Sequence, residues 1–360
     1  MYGLKLFKPV KLGVLDLKNA VVMSPMTRSR ATAAHIPLPI MAEYYAQRAD
    51  AGLIITEGTA PSPDGVGYPR IPGIYSEEQV EAWKEVTSAV HQKGGKIILQ
   101  LMHTGRVSHP LNMPDGSEII APSAVKLEGE MMTDQEGKQP FPLPKEMSRD
   151  DLKRVKSEFV NAAQNAIEAG FDGIELHAAN GYLLEEFLSP VTNHRKDEFG
   201  GTADNRARFV VDVAAAVAEA IGEDRVGIRV SPNGNAAGMK PYPEVKETYE
   251  YLAAQLDGLG LLYMHIVDHS SMGSPAPGEE LINSIRDNFL GGLILSGGYD
   301  KERAETDLQE GKANLIGFGR GFLANPDLVS RMKTGAPLNE PDPSTFYTPG
   351  EKGYTDYPTQ

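Results

Sequence analysis

Cysteine is absent from the 360 residues, which excludes disulfides, thiolate catalysis and any iron–sulfur or zinc site built on thiolates. A basic excess is missing too: 35 Lys and Arg stand against 49 Asp and Glu, a formal charge of −14. Nucleic acid and anionic membrane are therefore not expected partners, because both need a basic surface. Lys8, Lys11 and Lys18 are spread along an amphipathic stretch and read as a solvated face. No run approaches the roughly 20 apolar residues that cross a bilayer. The start, MYGLKLFKPVKLG, lacks a basic segment leading into a long apolar one, so a cytoplasmic protein is expected. Tryptophan occurs once, as Trp83, on the periodic face of a predicted helix where it reads as core. His35, His91, His103, His109, His194, His265 and His269 show no metal-ligand spacing; no metal is expected and none of them is given a catalytic role.

What is present reads as a globular chain, 41% hydrophobic and 23% charged, of a length that barrels reach as one domain. Short apolar runs alternate with amphipathic segments: Val21–Met26, Leu53–Thr59, Lys96–Met102, Gly173–Ala178, Val226–Ser231, Leu261–Val267, Gly292–Gly297 and Asn314–Gly319. Helix signals lie between them. Ser76 with Gln79 forms a capping box, Ser148 caps Leu152–Ala169, Asp300 opens Lys301–Gln309, and Gly94 and Gly170 close helices. Strands apolar on both faces and joined by crossover helices predict an α/β (β/α)₈ TIM barrel. A doubly wound sheet would want a Gly-rich turn after the first strand, which here ends Ser24-Pro25-Met26-Thr27-Arg28. The prediction is one barrel domain over 1–360. Leu6–Asn19 reads as a hairpin around Gly13 closing the bottom. His103–Met147 is too long for an ordinary loop and reads as a lid or binding element. The tail, 340–360, is either disordered or an ordered strap along the barrel.

Within 172–210 an apolar run ends in His177, Asn180 and Tyr182. Two hydrogen-bond donors and a phenol at a strand end suit a site that polarises a carbonyl and then delivers a proton. A lone H-x-x-N is as readily a buried His and an Asn turn. The surrounding text, ELHAANGYLLEEF followed by GGTADNRARF, resembles the old yellow enzyme family of flavin-dependent ene-reductases, and the resemblance extends over essentially the whole chain.

The resemblance implies a non-covalent FMN at the strand ends. Pro25, Met26 and Thr27 correspond to the segment on which the ring rests, with the Thr27 hydroxyl donating to the flavin O4. Gly58 lets backbone approach the ring, and Gln100 matches the glutamine that pairs with its pyrimidine edge. Arg229 would face the N1/C2=O side; without the resemblance it is as readily a structural ion pair, since a strand Arg needs a negative partner. Gly297, Gly298, Gly319 and Arg320 form the phosphate site that this fold places after its last two strands, for FMN or another phosphate ligand. Tyr68 and Tyr347 correspond to pocket walls. Met102 stands where the family usually has Trp, which enlarges or softens one wall. The Asn205-Arg206-Ala207-Arg208 stretch is a hallmark read as structural.

By the same resemblance, NADPH or NADH supplies hydride, and the acceptors are enones, enals, maleimides and nitroalkenes, with nitrate esters and nitroaromatics as further acceptors. His177 and Asn180 hold the substrate oxygen, Thr27 tunes the flavin and Tyr182 protonates the α-carbon. A monomer or homodimer acting on small molecules is expected. Dienoyl-CoA reductases share barrel and flavin but need a Cys-ligated cluster that this chain cannot build. A flavin-binding protein with a decayed site is the competing class, which steady turnover with NADPH and cyclohexenone would exclude.

Overall fold

Parallel strands close into a barrel in this computed structural model, which describes residues 3–360. They are β1 (Val21–Met23), β2 (Leu53–Ile55), β3 (Ile97–Leu101), β4 (Gly173–Ala178), β5 (Val226–Val230), β6 (Tyr263–Val267), β7 (Gly292–Ser296) and β8 (Leu315–Phe318). Closure is made by β8 on β1, with Ile316 opposite Val21 and Phe318 opposite Met23. Every predicted run contains one of these strands, though several strands stop short of the run. Val21–Met26 leaves the sheet after Met23 because Pro25 has no N–H for a ladder. Its last residues become loop facing the barrel mouth, where a site is wanted.

Outer helices fit the caps read from sequence. Ser76 Oγ accepts from the Gln79 N–H at 3.3 Å and Gln79 Oε1 accepts from the Ser76 N–H at 3.2 Å, opening the helix Glu77–Gln92. Trp83 on that helix is fully buried and donates to the Gly73 carbonyl at 3.0 Å. Ser148 and Asp151 make a second box at the start of Arg149–Glu168, a wider helix than the one predicted. Arg206 is buried and donates to the carbonyls of Leu188 and Gly201 and to Thr248 Oγ1, so the hallmark stretch does anchor its helix. Among the described residues no helix is long and apolar enough to cross a membrane.

The N-terminal hairpin forms as expected, Val10–Leu12 against Leu15–Leu17. Side chains on Gly13 or Gly292 would overlap Leu262 and Leu12 respectively, so the hairpin seals the end where β6 and β7 begin. The 103–147 segment is ordered. It carries an antiparallel pair, Glu130–Thr133 with Gly137–Pro140, and a two-residue bridge of Ile120–Ala121 to Lys145–Glu146. Its Val107, Leu127, Met131 and Phe141 form an apolar cluster against which Tyr68 and Tyr182 pack.

The tail is a strap, which answers the alternative left open above. Arg28 Nη2 donates to the Gly353 carbonyl at 2.7 Å, Arg30 Nη2 to Thr345 O at 2.8 Å and Arg48 Nη2 to Tyr354 O at 3.4 Å. Tyr354 stacks on Tyr44 with ring centroids 4.0 Å apart. All three guanidiniums are buried, and backbone carbonyls supply the acceptors that buried cations require.

The barrel interior is polar at one level. Glu175 on β4 faces Gln100 on β3 and Gly227 on β5, and Gly227 faces Tyr263 on β6. A Cβ on Gly227 would overlap the Tyr263 ring, whose hydroxyl donates to Glu175 Oε2 at 3.0 Å. Gly227→Ala should therefore destabilise by about 1–3 kcal/mol through overpacking. A lower urea midpoint with an unchanged slope is the expected readout, and an unaltered midpoint would show that the ring can move aside.

Candidate active site

The chain turns sharply after β4. Asn180 (φ +61°) and Gly181 (φ +78°) adopt consecutive left-handed conformations, and a Cβ on Gly181 would lie 2.7 Å from that of Ala237, so only glycine fits there. The turn is held from below. Ser231 Oγ accepts from the Asn180 N–H at 2.8 Å and donates to Glu185 Oε1 at 2.8 Å, while Glu185 Oε2 accepts from the Gly181 N–H at 2.5 Å. Burial pushes the Glu185 carboxyl up to about 7 against these hydrogen bonds.

This turn brings the three predicted residues together. His177 Nε2 and Asn180 Nδ2 are 3.4 Å apart, close enough for two N–H groups to converge on one acceptor oxygen. The His177 and Tyr182 rings meet edge to face at 5.1 Å. Tyr182 is hydrogen-bonded to Tyr68, hydroxyl to hydroxyl, at 2.9 Å. Burial, reinforced by Arg229, His265 and His269, holds His177 well below the ordinary imidazole range, so it is neutral and offers a single N–H. Burial and Tyr68 push the Tyr182 phenol well above its usual range, so its proton is retained.

Beneath them lies a network that sequence reasoning missed. Glu175, fully buried, accepts from Gln100 Nε2 at 2.7 Å and from Tyr263, and contacts His265 Nδ1 at 2.9 Å; His265 Nε2 is 2.7 Å from Ser296 Oγ. Burial alone would raise Glu175, but His265, Arg229 and the Gln100 bond more than offset it. With its Nε2 committed to Glu175, Gln100 keeps Oε1 as an acceptor for a ligand N–H. Arg229, opposite His177 on β5, is 6% exposed, its Nε has no partner and no hydrogen bond ties its guanidinium to the described residues. Burial lowers its pKa against the pull of Glu175. An orphaned buried guanidinium calls for an acceptor-rich ligand.

Above this floor a cavity of about 810 Å³ spans the mouth, from Thr27, Asn180 and Arg229 to Gly297, Gly319 and Arg320. Pro25, Met26, Gly298 and Tyr347 also line it, as does His269, which had been given no role. Gly297 (φ +113°) and Gly298 (φ +64°) hold conformations that side chains rarely adopt, and a Cβ on Gly297 would overlap the Asp268 carbonyl. Arg320 is exposed and donates no hydrogen bond within the described residues. Four of the predicted substrate residues, His177, Tyr182, Tyr68 and Met102, do not line this cavity, nor do Gly58 and Gln100 of the cofactor set: Met102 is buried against Gly58 in an apolar cluster with Ala60, Val66, Ile71 and Met113, on which Tyr68 and Tyr182 pack. Tyr347 is 61% exposed at the rim.

Comparison with known proteins identifies the family. The model of the NADH:flavin oxidoreductase / NADH oxidase family matches residues 5–339. A probable flavin mononucleotide-dependent alkene reductase of Leishmania infantum is 40% identical over 357 residues, 98% of this chain and 97% of that protein. The structure of morphinone reductase superposes with a TM-score of 0.96 at 46% identity, covering 99% of this chain and 96% of that one; another similar structure is that of morphinone reductase in complex with tetrahydroNAD. An old yellow enzyme homologue from Zymomonas mobilis gives 0.93 at 42% identity, covering 98% and 99%. The chain therefore belongs to the old yellow enzyme family of flavin-linked oxidoreductases.

Proposed function

We propose that this chain is an FMN-dependent ene-reductase that takes hydride from NADPH or NADH and places it on the β-carbon of enones, enals, maleimides and nitroalkenes. The observation that carries this reading is the 3.4 Å approach of His177 Nε2 and Asn180 Nδ2, with the Tyr182 phenol against the same imidazole. The name of the Leishmania relative and the nicotinamide analogue bound to morphinone reductase support it.

The donor set fits FMN. Arg229 and the free Gln100 acceptor suit a ring edge that offers both carbonyls and N–H, and Thr27 adds a hydroxyl. Gly297, Gly298, Gly319 and Arg320 suit a phosphate, by backbone approach and a charged fork. FMN held there would supply a two-electron carrier between nicotinamide and alkene. The protein's own part is electrostatic and protonic. His177 and Asn180 hold the substrate oxygen and stabilise the negative charge that grows on it, each by about 3 kcal/mol. A neutral imidazole suits this, because it donates without giving up its proton. Tyr182 supplies the proton to the α-carbon, and the Tyr68 hydroxyl is the neighbour through which that proton is replaced.

Purified protein should carry one FMN per chain, released by heat. Arg320→Ala should weaken FMN retention, measured by fluorescence titration of the apoprotein, while FAD in the released fraction would overturn the assignment. A panel of cyclohexenone, a maleimide, a nitroalkene and a nitroaromatic, assayed with both nicotinamides, tests the activity. No turnover of any alkene would refute it.

A further inference from the structure

The amide of Asn180 has an oxygen and a nitrogen of nearly identical shape, so only its hydrogen-bond partners decide which one faces the substrate. If the nitrogen faces His177, the pair is a two-donor fork. If the oxygen does, a lone pair meets the incoming substrate oxygen and repels it. In this structure the amide nitrogen faces His177 and the oxygen faces a second imidazole: His269 Nε2 lies 2.6 Å from Asn180 Oδ1. We propose that His269 is a positioning residue that donates from Nε2 to the Asn180 amide oxygen and thereby turns the amide N–H into the oxygen site. This deepens the ene-reductase reading and rests on it.

His269 is placed to do so by its loop. It lies two residues beyond β6, beside Asp268, whose N–H donates to the Ser296 carbonyl at 2.8 Å and whose carbonyl packs against Gly297. Asp268 Oδ1 also accepts from the Ser270 N–H at 2.8 Å, so the backbone on both sides of His269 is tied down. Burial and the nearby Arg229 lower the imidazole pKa to about 4. At neutral pH the ring thus has one N–H, and the tautomer that carries it on Nε2 satisfies Oδ1, an atom that can only accept. The backbone of Asn180 is held separately by Ser231, so the turn persists when the His269 contact is removed and only the amide is released.

The test uses FMN-loaded protein with 4-chlorophenol as the probe, binding being read from the long-wavelength absorbance of the phenol–flavin complex. His269→Leu should weaken phenol binding about tenfold, the scale of losing the Asn180 amide's charge-assisted hydrogen bond to a phenolate oxygen. His269→Gln, whose amide N–H can donate to Oδ1, should recover most of that loss. In an Asn180→Ala background His269→Leu should cost less than twofold, because there is no amide left to orient. FMN content and the thermal midpoint should stay unchanged in the His269 variants. Equal losses in Leu and Gln, or a full tenfold loss in the Asn180→Ala background, would overturn the proposal. A parent protein that binds no phenol and reduces no cyclohexenone would instead overturn the functional reading itself.

Discussion

A protein carrying His177→Ala together with Asn180→Ala should lose cyclohexenone reduction by at least 10³-fold, since removal of one oxyanion donor typically costs 10²–10³. The two N–H groups converge on one point at 3.4 Å separation, so each single variant should already show most of the loss, and the pair should be less than additive. Binding should reveal the same roles. Para-substituted phenols should bind the parent as phenolates, because neutral donors favour an anionic oxygen, and give a long-wavelength absorbance that the double variant lacks. Flavin should remain bound in the double variant, since Arg229, Arg320 and the glycines that follow β7 and β8 are untouched. Survival of the absorbance would mean that the oxygen site lies elsewhere in the cavity.

Tyr182→Phe separates the proton from the hydride. The substitution removes one oxygen while leaving the edge-to-face contacts with His177 at 5.1 Å and with Tyr68 at 6.2 Å. The reductive half, driven by NAD(P)H, needs no proton at substrate carbon and should proceed at nearly the normal rate. The oxidative half with cyclohexenone should slow by about 10²-fold or more, the usual scale for a lost general acid. Quinones, which take electrons without protonation at carbon, should still be reduced well. Stopped-flow traces in which both halves and every acceptor fail together would mean that Tyr182 only packs the pocket.

The barrel was legible because its strands read as apolar on both faces, and His177, Asn180 and Tyr182 because the text around them resembles the old yellow enzyme family; their spacing alone suits a buried His and an Asn turn as readily. The network under them was not legible, although its signal was present. Gln100, Glu175, His177, Arg229 and His265 all lie at paired register positions of otherwise apolar strands, and residues spaced by two along a strand, such as Glu175 and His177, share one face. Reading each histidine only for metal spacing hid this, because His265 pairs with a residue 90 positions away. His269 was hidden for the same reason, its partner lying 89 positions back. Tyr68 and Met102 are expected as pocket walls, but Met102 is buried in a cluster beside the cavity and Tyr68 packs on it, a packing outcome that no local pattern encodes. The tail was undecidable from composition, since Pro, Gly and Tyr suit disorder and strap alike; its order comes from arginines some 300 residues earlier.

Those arginines bear on how the molecule is made. Arg28, Arg30 and Arg48 leave the ribosome early, and the carbonyls of residues 345–354 that neutralise their isolation are among the last described atoms to emerge. Until then the loop after β1, which carries Thr27, lacks its outer support, and three guanidiniums destined for the interior must stay hydrated. Final closure of the cavity mouth is thus a late, long-range event of the kind that slows folding. A nascent chain halted near residue 340 would possess every strand and helix of the barrel and still be without a finished rim.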